Sequence, residues 1–351
     1  MQLGVSILIC CHNSAQRIPD TLRHLSAQKV PESVKWEVVV IDNASTDKTE
    51  LAAVSCWPKN ASAPIRVVRE PRVGLNFARM CGIAVATYEF ISFIDDDNWV
   101  CVDWVAQVIR IFEQHPDVGA CGGPSQASFE VEPPNWFNHY SYAYAVGEQA
   151  DHTGYVPMER GFLWGAGLSL RQSAIQKLQL RGFRFLSTDR QGKHLSGGGD
   201  NELCFALLMA GWQLWYEESL TLHHNMTAPR LNWQYLRRLH CGFGSSYINL
   251  APYRQAMTRF SNSLPVKYHK RWYIQALWLV KQFLLTDGID SLLVMFRRAS
   301  KENYTILRYE ILKGCLRELW KQKDNYERNF TIIAMAEWQQ YNLQSHESTT
   351  L

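Results

Sequence analysis

Phe90-Ile91-Ser92-Phe93-Ile94-Asp95-Asp96-Asp97-Asn98 decides the fold: an apolar, strand-forming run leads straight into three consecutive carboxylates. Adjacent like charges raise one another's pKa and repel, so a fold keeps them together most easily where a cation joins them. Oxygen ligands of this kind suit Mg²⁺ or Mn²⁺, which keep several waters and bridge to the phosphates of a substrate. Upstream, Trp36-Glu37-Val38-Val39-Val40-Ile41 also reads as a strand and ends in Asp42-Asn43. Ligands of open α/β sheets bind beyond the carboxyl ends of the strands, where both sets of acids would stand. On spacing alone, a solvated acidic turn is the alternative for Asp95 to Asp97.

Working outward, residues 1–120 alternate strand-like and helix-like segments. Residues 5–9 predict a first strand, and Pro19 fits the start of the helix after it. Ser45-Thr46-Asp47 offers caps for the helix after Asp42. Residues 65–68 predict a third strand, 75–86 a helix and 90–94 a fourth strand. That rhythm implies an α/β fold with a mostly parallel central sheet covered on both faces. Residues 121–160 lose it and are rich in Gly, Pro and aromatics, including Pro133-Pro134-Asn135-Trp136-Phe137 and His139-Tyr140. Aromatic walls with polar edges suit a pocket for a sugar or lipid-linked substrate, and a packed surface loop fits equally well. Order resumes at Trp164-Gly165-Ala166-Gly167, with a short helix predicted over 171–180. Ser196-Gly197-Gly198-Gly199-Asp200-Asn201-Glu202 then leads into an apolar run predicting a buried helix, with Asp200 or Asn201 as its cap. From residue 260 the pattern becomes helical, over 273–296 and 304–320, mixing large apolar residues with Lys and Arg.

The chain of 351 residues is 46% hydrophobic and 20% charged, which excludes general disorder. A formal charge of +3 is too small to argue for nucleic acid. The nine cysteines include adjacent Cys10 and Cys11 and show no Cys/His zinc spacing, so a reducing compartment and no structural zinc are expected. No basic n-region precedes the first apolar run, and no stretch reaches the roughly 20 apolar residues of a membrane span. A cytoplasmic location is therefore expected.

The order of these motifs over residues 4–224 resembles the GT-A-fold glycosyltransferases of family 2, inverting and non-processive enzymes that use nucleotide-diphosphate sugars. Ser6-Ile7-Leu8-Ile9-Cys10-Cys11-His12-Asn13 is similar to the family's opening strand, with Cys10, Cys11 and His12 in place of Pro-Thr-Tyr. The base contact then falls to His12, beside Asn13. Val39-Val40-Ile41-Asp42-Asn43 resembles the stretch whose Asp binds the base. Gly74-Leu75-Asn76-Phe77-Ala78-Arg79 is similar to the Gly-x-x-x-Ala-Arg-Asn segment, with Met80 in place of Asn. The resemblance implies Asp95 and Asp97 as ligands of Mn²⁺ or Mg²⁺, with His223 or His224 near the metal and diphosphate. It implies donor contacts from Arg79, Asp95 and Asp96, and Asp200 as the catalytic base, with Glu202 as runner-up. Gly199 stands where the family's Glu precedes that Asp. Trp136, Tyr140, Trp164 and Glu202 are the candidate acceptor-binding residues. The Gln-x-x-Arg-Trp motif of processive synthases is absent after Asp200.

The implied organisation is a GT-A domain over 1–225, divided into a nucleotide-sugar-binding half (1–120) and an acceptor-binding half (121–225). A mainly helical carboxyl-terminal region follows over 226–351. The implied partners are a nucleotide-diphosphate sugar and a saccharide or lipid-linked saccharide acceptor. Trp272, Trp278, Phe283, Leu284 and Phe296 lie beside Lys270, Arg271, Lys281, Arg297 and Arg298. That mixture suits packing on the main domain or peripheral contact with the inner face of a membrane. A Rossmann dehydrogenase is disfavoured, because Cys11-His12-Asn13-Ser14-Ala15 contains no glycine after the first strand. A nucleotidyltransferase would want a basic Gly-rich loop there, and only Arg17 is at hand. A binding protein that has lost the chemistry is the remaining alternative.

Overall fold

The computed structural model describes residues 2–187, 190, 195, 197–259, 268–296 and 304–339. Ser196, Arg297 and Arg298 lie outside the described residues, as does the side chain of Phe296. Strands β1 (Gln2–Cys11) and β2 (Trp36–Asn43) begin the main sheet. Every residue of β2 is buried, which explains why it reads as a nearly continuous apolar run rather than an alternation. Between them runs α1 (Ile18–Ser26); α2 (Thr49–Cys56), β3 (Ile65–Glu70), α3 (Leu75–Val85) and β4 (Tyr88–Phe93) follow. Strand β1 pairs in parallel with both β2 and β4, and β2 with β3. Residues of β1 and β2 then point alternately to two cores. Val5, Ile7, Ile9, Val38 and Val40 face one, and Leu8, Val39 and Ile41 the other.

Beyond the acids come β5 (Asn98–Val100), α4 (Trp104–Gln114), β6 (Val118–Gly122), β7 (Ser125–Phe129) and β8 (Gly154–Tyr155). A 3₁₀ segment, Phe137–Tyr144, lies between the last two. The predicted helix over 171–180 proves to be strand β9 (Ser169–Arg171) followed by α5 (Gln172–Leu180). Helix α6 (Gly199–Met209), β10 (Gln213–Tyr216) and β11 (Leu222–Met226) complete the sheets. The eight-stranded sheet has the order β3-β2-β1-β4-β9-β6-β10-β8, and β5-β11-β7 form a small second sheet. Strand β9 is antiparallel to both neighbours, so the sheet is parallel in its first half and mixed beyond it.

The carboxyl-terminal region comprises α7 (Trp233–Asn249), α8 (Ala251–Met257), α9 (Trp272–Phe296, interrupted at Gly288), α10 (Tyr304–Lys321) and α11 (Tyr326–Ala334). Helices α7 and α10 touch backbone to backbone. A Cβ on Gly244 would stand 2.0 Å from the Ile311 carbonyl oxygen, and one on Gly314 1.9 Å from that of Cys241. Only glycine permits that approach. Tyr268, Cys315, Leu319, Tyr326 and Phe330 pack against Ile248 and Ala251 to close this helical layer. No described helix is long and apolar enough to cross a membrane.

Candidate active site

Parallel register sets the ends of the central strands side by side. Cys11 pairs with Asp42, Asn43 with Glu70 and Leu8 with Phe93, so His12, Asp42 and Asp95 emerge along one edge of the sheet. His12 donates from Nδ1 to the Asn43 carbonyl at 2.8 Å, leaving Nε2 as an acceptor. Asn13, in the left-handed region at φ 52°, accepts at Oδ1 from the Thr46 amide at 2.8 Å. Asp42 is buried and accepts from the Ser45 amide at 3.1 Å. Asn43 ties this edge to α3: its Oδ1 accepts from the Gly74 amide at 2.8 Å, and its Nδ2 donates to the Arg72 carbonyl at 2.6 Å.

The three adjacent acids separate into three environments. Asp95 faces a cavity of about 470 Å³. Asp96 turns towards α1, where Arg17 holds its Oδ2 at 2.6 Å and the Ser14 hydroxyl donates to the same oxygen. Burial and the neighbouring Asp97 charge still push its pKa up, against the pull of Arg17. Asp97 is buried: Arg230 Nη2 lies 2.7 Å from its Oδ2, and Asn98 Nδ2 3.2 Å from its Oδ1. Burial alone would raise its pKa, but the Arg230 guanidinium outweighs that and holds it well below the usual carboxylate range.

The second sheet brings the histidines to these acids. Antiparallel pairing of β11 with β5 sets His224 opposite Asn98 and His223 opposite Trp99, and the Asn225 amide donates to the Asp97 carbonyl at 2.9 Å. Strand alternation then separates the two rings. His224 lines the cavity with Nε2 3.5 Å from Asp97 Oδ1, whereas His223 is exposed on the opposite face. Among the described residues no three His, Cys, Asp or Glu side chains gather as a ready-made metal site.

On the same cavity, Asp200 lies in the first turn of α6, not at the predicted cap position, which Gly198 occupies. Its Oδ2 accepts from the Gly165 amide at 2.7 Å and its Oδ1 from the Asn201 amide at 3.0 Å. Gly165 has no room for a side chain: a Cβ there would meet Arg79 Nη2 at 2.6 Å and Asp200 Oδ2 at 3.0 Å. Arg79 is buried, faces the Phe93 ring and lines the same cavity.

Trp164 lines the cavity, held through its amide by Gln149 Oε1 at 2.7 Å. Glu202 does not: it is fully buried and accepts from the Ser187 hydroxyl at 2.9 Å, the Tyr253 hydroxyl at 2.9 Å and the Leu186 amide. It anchors the 186–187 segment, and burial pushes its pKa up to about 7. Trp136 and Tyr140 pack on Trp233, fastening the 3₁₀ segment to α7, and do not line the cavity. The aromatic walls come instead from Tyr142, Tyr144 and Phe162, and from Tyr235, Phe243 and Tyr247 of α7. Arg230 was also missed from sequence; it stands alone after Pro229 in a short 3₁₀ turn, Ala228–Arg230, that carries no motif.

The family model for Glycosyl transferase family 2 matches residues 6–179. The chain is 28% identical over 249 residues to the succinoglycan biosynthesis protein ExoM of Rhizobium meliloti, covering 68% of this chain and 73% of that protein. It is 29% identical over 120 residues to the poly-beta-1,6-N-acetyl-D-glucosamine synthase of Staphylococcus epidermidis, where it spans 28% of that protein. In fold it is similar to the mannosyltransferase PcManGT from Pyrobaculum calidifontis, solved in complex with GDP-Man and Mn²⁺. The TM-score is 0.53 at 17% identity, covering 92% of this chain and 88% of that one.

Proposed function

Because the chain belongs to glycosyl transferase family 2 and carries the GT-A fold, we propose that it transfers a sugar from a nucleotide-diphosphate donor to an acceptor hydroxyl with inversion. The observation that carries this reading is that Asp200 faces the same cavity as Asp95, Arg79, His224 and Arg230. A carboxylate acceptor of protons thus shares one cavity with cationic side chains and a candidate metal ligand. Asp200 takes the proton from the acceptor hydroxyl as that oxygen attacks the anomeric carbon. The Gly165 and Asn201 amides aim it. Such general-base help is worth roughly 10²–10⁴-fold. His12, Asn13, Asp42 and Asn43 receive the nucleoside at the strand ends.

The residues fit a small divalent ion. Asp97 Oδ1 and His224 Nε2 lie 3.5 Å apart, a spacing that two ligands can share on one ion with bonds of about 2.1 Å. Asp95, on the cavity wall, stands to hold it directly or through water. Mn²⁺ or Mg²⁺ there would supply charge to stabilise the leaving diphosphate. Tyr142, Trp164, Tyr235 and Phe243 offer rings on which an acceptor saccharide stacks. Likeness to a succinoglycan biosynthesis protein supports a role in assembling a polysaccharide or other glycan. The test is release of free nucleotide from a panel of nucleotide sugars with Mn²⁺ or Mg²⁺. One donor consumed, with loss of turnover in Asp200→Asn, supports the transferase; nucleotide sugars that bind but are never turned over with any acceptor favour the binding protein.

A lipid-linked acceptor is favoured by one further feature. Helix α9 turns Tyr273, Ile274, Leu277, Leu284 and Leu285 outward at three- and four-residue spacing, with Lys281 among them. Phe283, on the other side, is buried. Lys270 and Arg271, just before this helix, are exposed as is Lys281 within it, a charge pattern that anionic lipid attracts. Sedimentation with anionic vesicles that falls in a Leu277→Ser, Leu285→Ser double variant supports peripheral contact. Equal recovery with neutral and anionic vesicles overturns it.

A further inference from the structure

Arg230 serves two electron-pair donors at once, one of them an anion. Its Nη2 donates to Asp97 Oδ2 at 2.7 Å and its Nη1 to His224 Nε2 at 3.1 Å. A guanidinium only donates, so His224 must present a lone pair at Nε2, the form in which an imidazole ligates a metal. Two electron-pair donors thus converge on one positive charge. Asp96, next door, has its own cation in Arg17, so Asp97 depends on Arg230. Arg230 also lines the cavity that Asp95 and Asp200 face, and about a quarter of its side chain, 23%, remains accessible. Its backbone is fixed: the amide donates to the Thr227 carbonyl at 2.9 Å, and the Tyr144 hydroxyl donates to its carbonyl at 3.1 Å. Only the side chain need move. A guanidinium fork fits a phosphate as well as it fits a carboxylate.

We propose that Arg230 is an exchangeable counter-ion: it neutralises Asp97 and occupies the His224 lone pair until the donor arrives, then passes to the donor's diphosphate as the divalent ion takes those two ligands. This rests on the reading of Asp97 and His224 as metal ligands. Its consequence is order. A bare ion must compete with the guanidinium, whereas an ion bound to a nucleoside diphosphate brings the phosphate that draws Arg230 away. Metal and donor therefore bind as a unit, and the buried carboxylate is never left without a positive partner.

The test measures binding rather than turnover, in the full chain, with Mn²⁺ followed by electron paramagnetic resonance and UDP and GDP as nucleotide probes by calorimetry. In Arg230→Gln, Mn²⁺ alone should bind at least tenfold more tightly than in wild type. The better-bound nucleoside diphosphate, with saturating Mn²⁺, should bind at least tenfold more weakly. Arg230→Lys, which keeps the charge on a narrower head, should fall between on both counts and supplies the same comparison if Arg230→Gln does not fold. Mn²⁺ affinity unchanged or weakened in both variants overturns the exchange, and Asp97→Asn then locates the error. If Asp97→Asn abolishes Mn²⁺ binding, the metal reading stands without the exchange. If it binds Mn²⁺ like wild type, the metal reading falls as well.

Discussion

Gly165→Ala places a methyl group where the site has no space for it. The new carbon would lie 2.6 Å from Arg79 Nη2 and 3.0 Å from Asp200 Oδ2. With contacts of about 3.5 Å restored, Arg79 must retreat by about 0.9 Å and the carboxylate by about 0.5 Å. The first shift is easily made, because it moves the far end of a long side chain. The second is not, because Asp200 Oδ2 is held by the amide of residue 165 itself, at 2.7 Å. Stability should therefore fall by only about 1 kcal/mol, at the lower end of overpacking costs. Turnover should fall further, by about 10- to 100-fold, since a displacement of about 1 Å in a reacting group costs on the order of 10². The assay is initial-rate release of nucleotide at saturating donor and acceptor, beside a thermal melt. Gly122→Ala is the control, because its Cβ would meet nothing closer than 3.7 Å. A Gly165→Ala protein that turns over within about twofold of wild type would refute the claim that this glycine sets the position of the base.

Asp200→Asn should lower turnover by about 10²-fold or more while donor affinity, by calorimetry, stays within about twofold, because its amide oxygen can still accept from Gly165. Near-normal turnover would move the role elsewhere, and not to Glu202, whose carboxylate is sealed from the cavity. Glu202 predicts a pH effect on stability instead. Its pKa rises from 4.5 unfolded to about 7 folded, so its contribution is full below pH 4.5 and is lost as pH rises to about 7. The loss amounts to about 3 kcal/mol. Melts should show that slope in wild type and not in Glu202→Gln; parallel curves would exclude it. Tyr140→Ala, which strips a ring from the cluster with Trp233, should lower stability by about 3–5 kcal/mol and leave the donor KM unchanged wherever the protein is folded. A raised acceptor KM in Tyr142→Ala, without loss of melting temperature, would separate the ring that lines the cavity from the one that does not.

The first half of the sheet was legible because strands buried on both faces are apolar almost throughout, as residues 36–41 are apart from Glu37, which Ser6 and Arg66 satisfy. Their carboxyl ends then announce themselves by a sudden change to Asp and Asn. Strand β9 was not legible: three residues, Ser169-Leu170-Arg171, are held only by neighbours on each side, and Arg171 reads as easily as a helix start. Acids of the site were visible by residue type, yet Asp95, Asp96 and Asp97 look alike in sequence. Arg17 and Arg230 give them different environments from distant parts of the chain. Aromatic residues carry the opposite ambiguity. Trp136 and Tyr140 belong to a core cluster, Tyr142 lines the cavity and Tyr144 does both, although all four lie within nine residues, because a 3₁₀ turn, not composition, decides which way each ring faces.

The same distinction divides the two halves of the site. The strand ends proposed to receive the nucleoside depend on fixed parallel register, so their residues occur in short motifs, and the family match covers them, although His224 and Arg230 lie beyond it. The part proposed to receive the acceptor depends on helices packing across a sheet. Tyr235, Leu239, Phe243 and Ser246 occupy one stripe of α7 and line the cavity, but at three- to four-residue spacing they read as ordinary core. Ile311 of α10 reaches the same wall because Gly244 and Gly314 let the two helices touch. These helices lie beyond residue 179, where the family match ends. Substitutions along that stripe should therefore change which acceptor is used while leaving donor choice to the strand ends, and the carboxyl-terminal helices become part of the enzyme's specificity rather than an appendage to it.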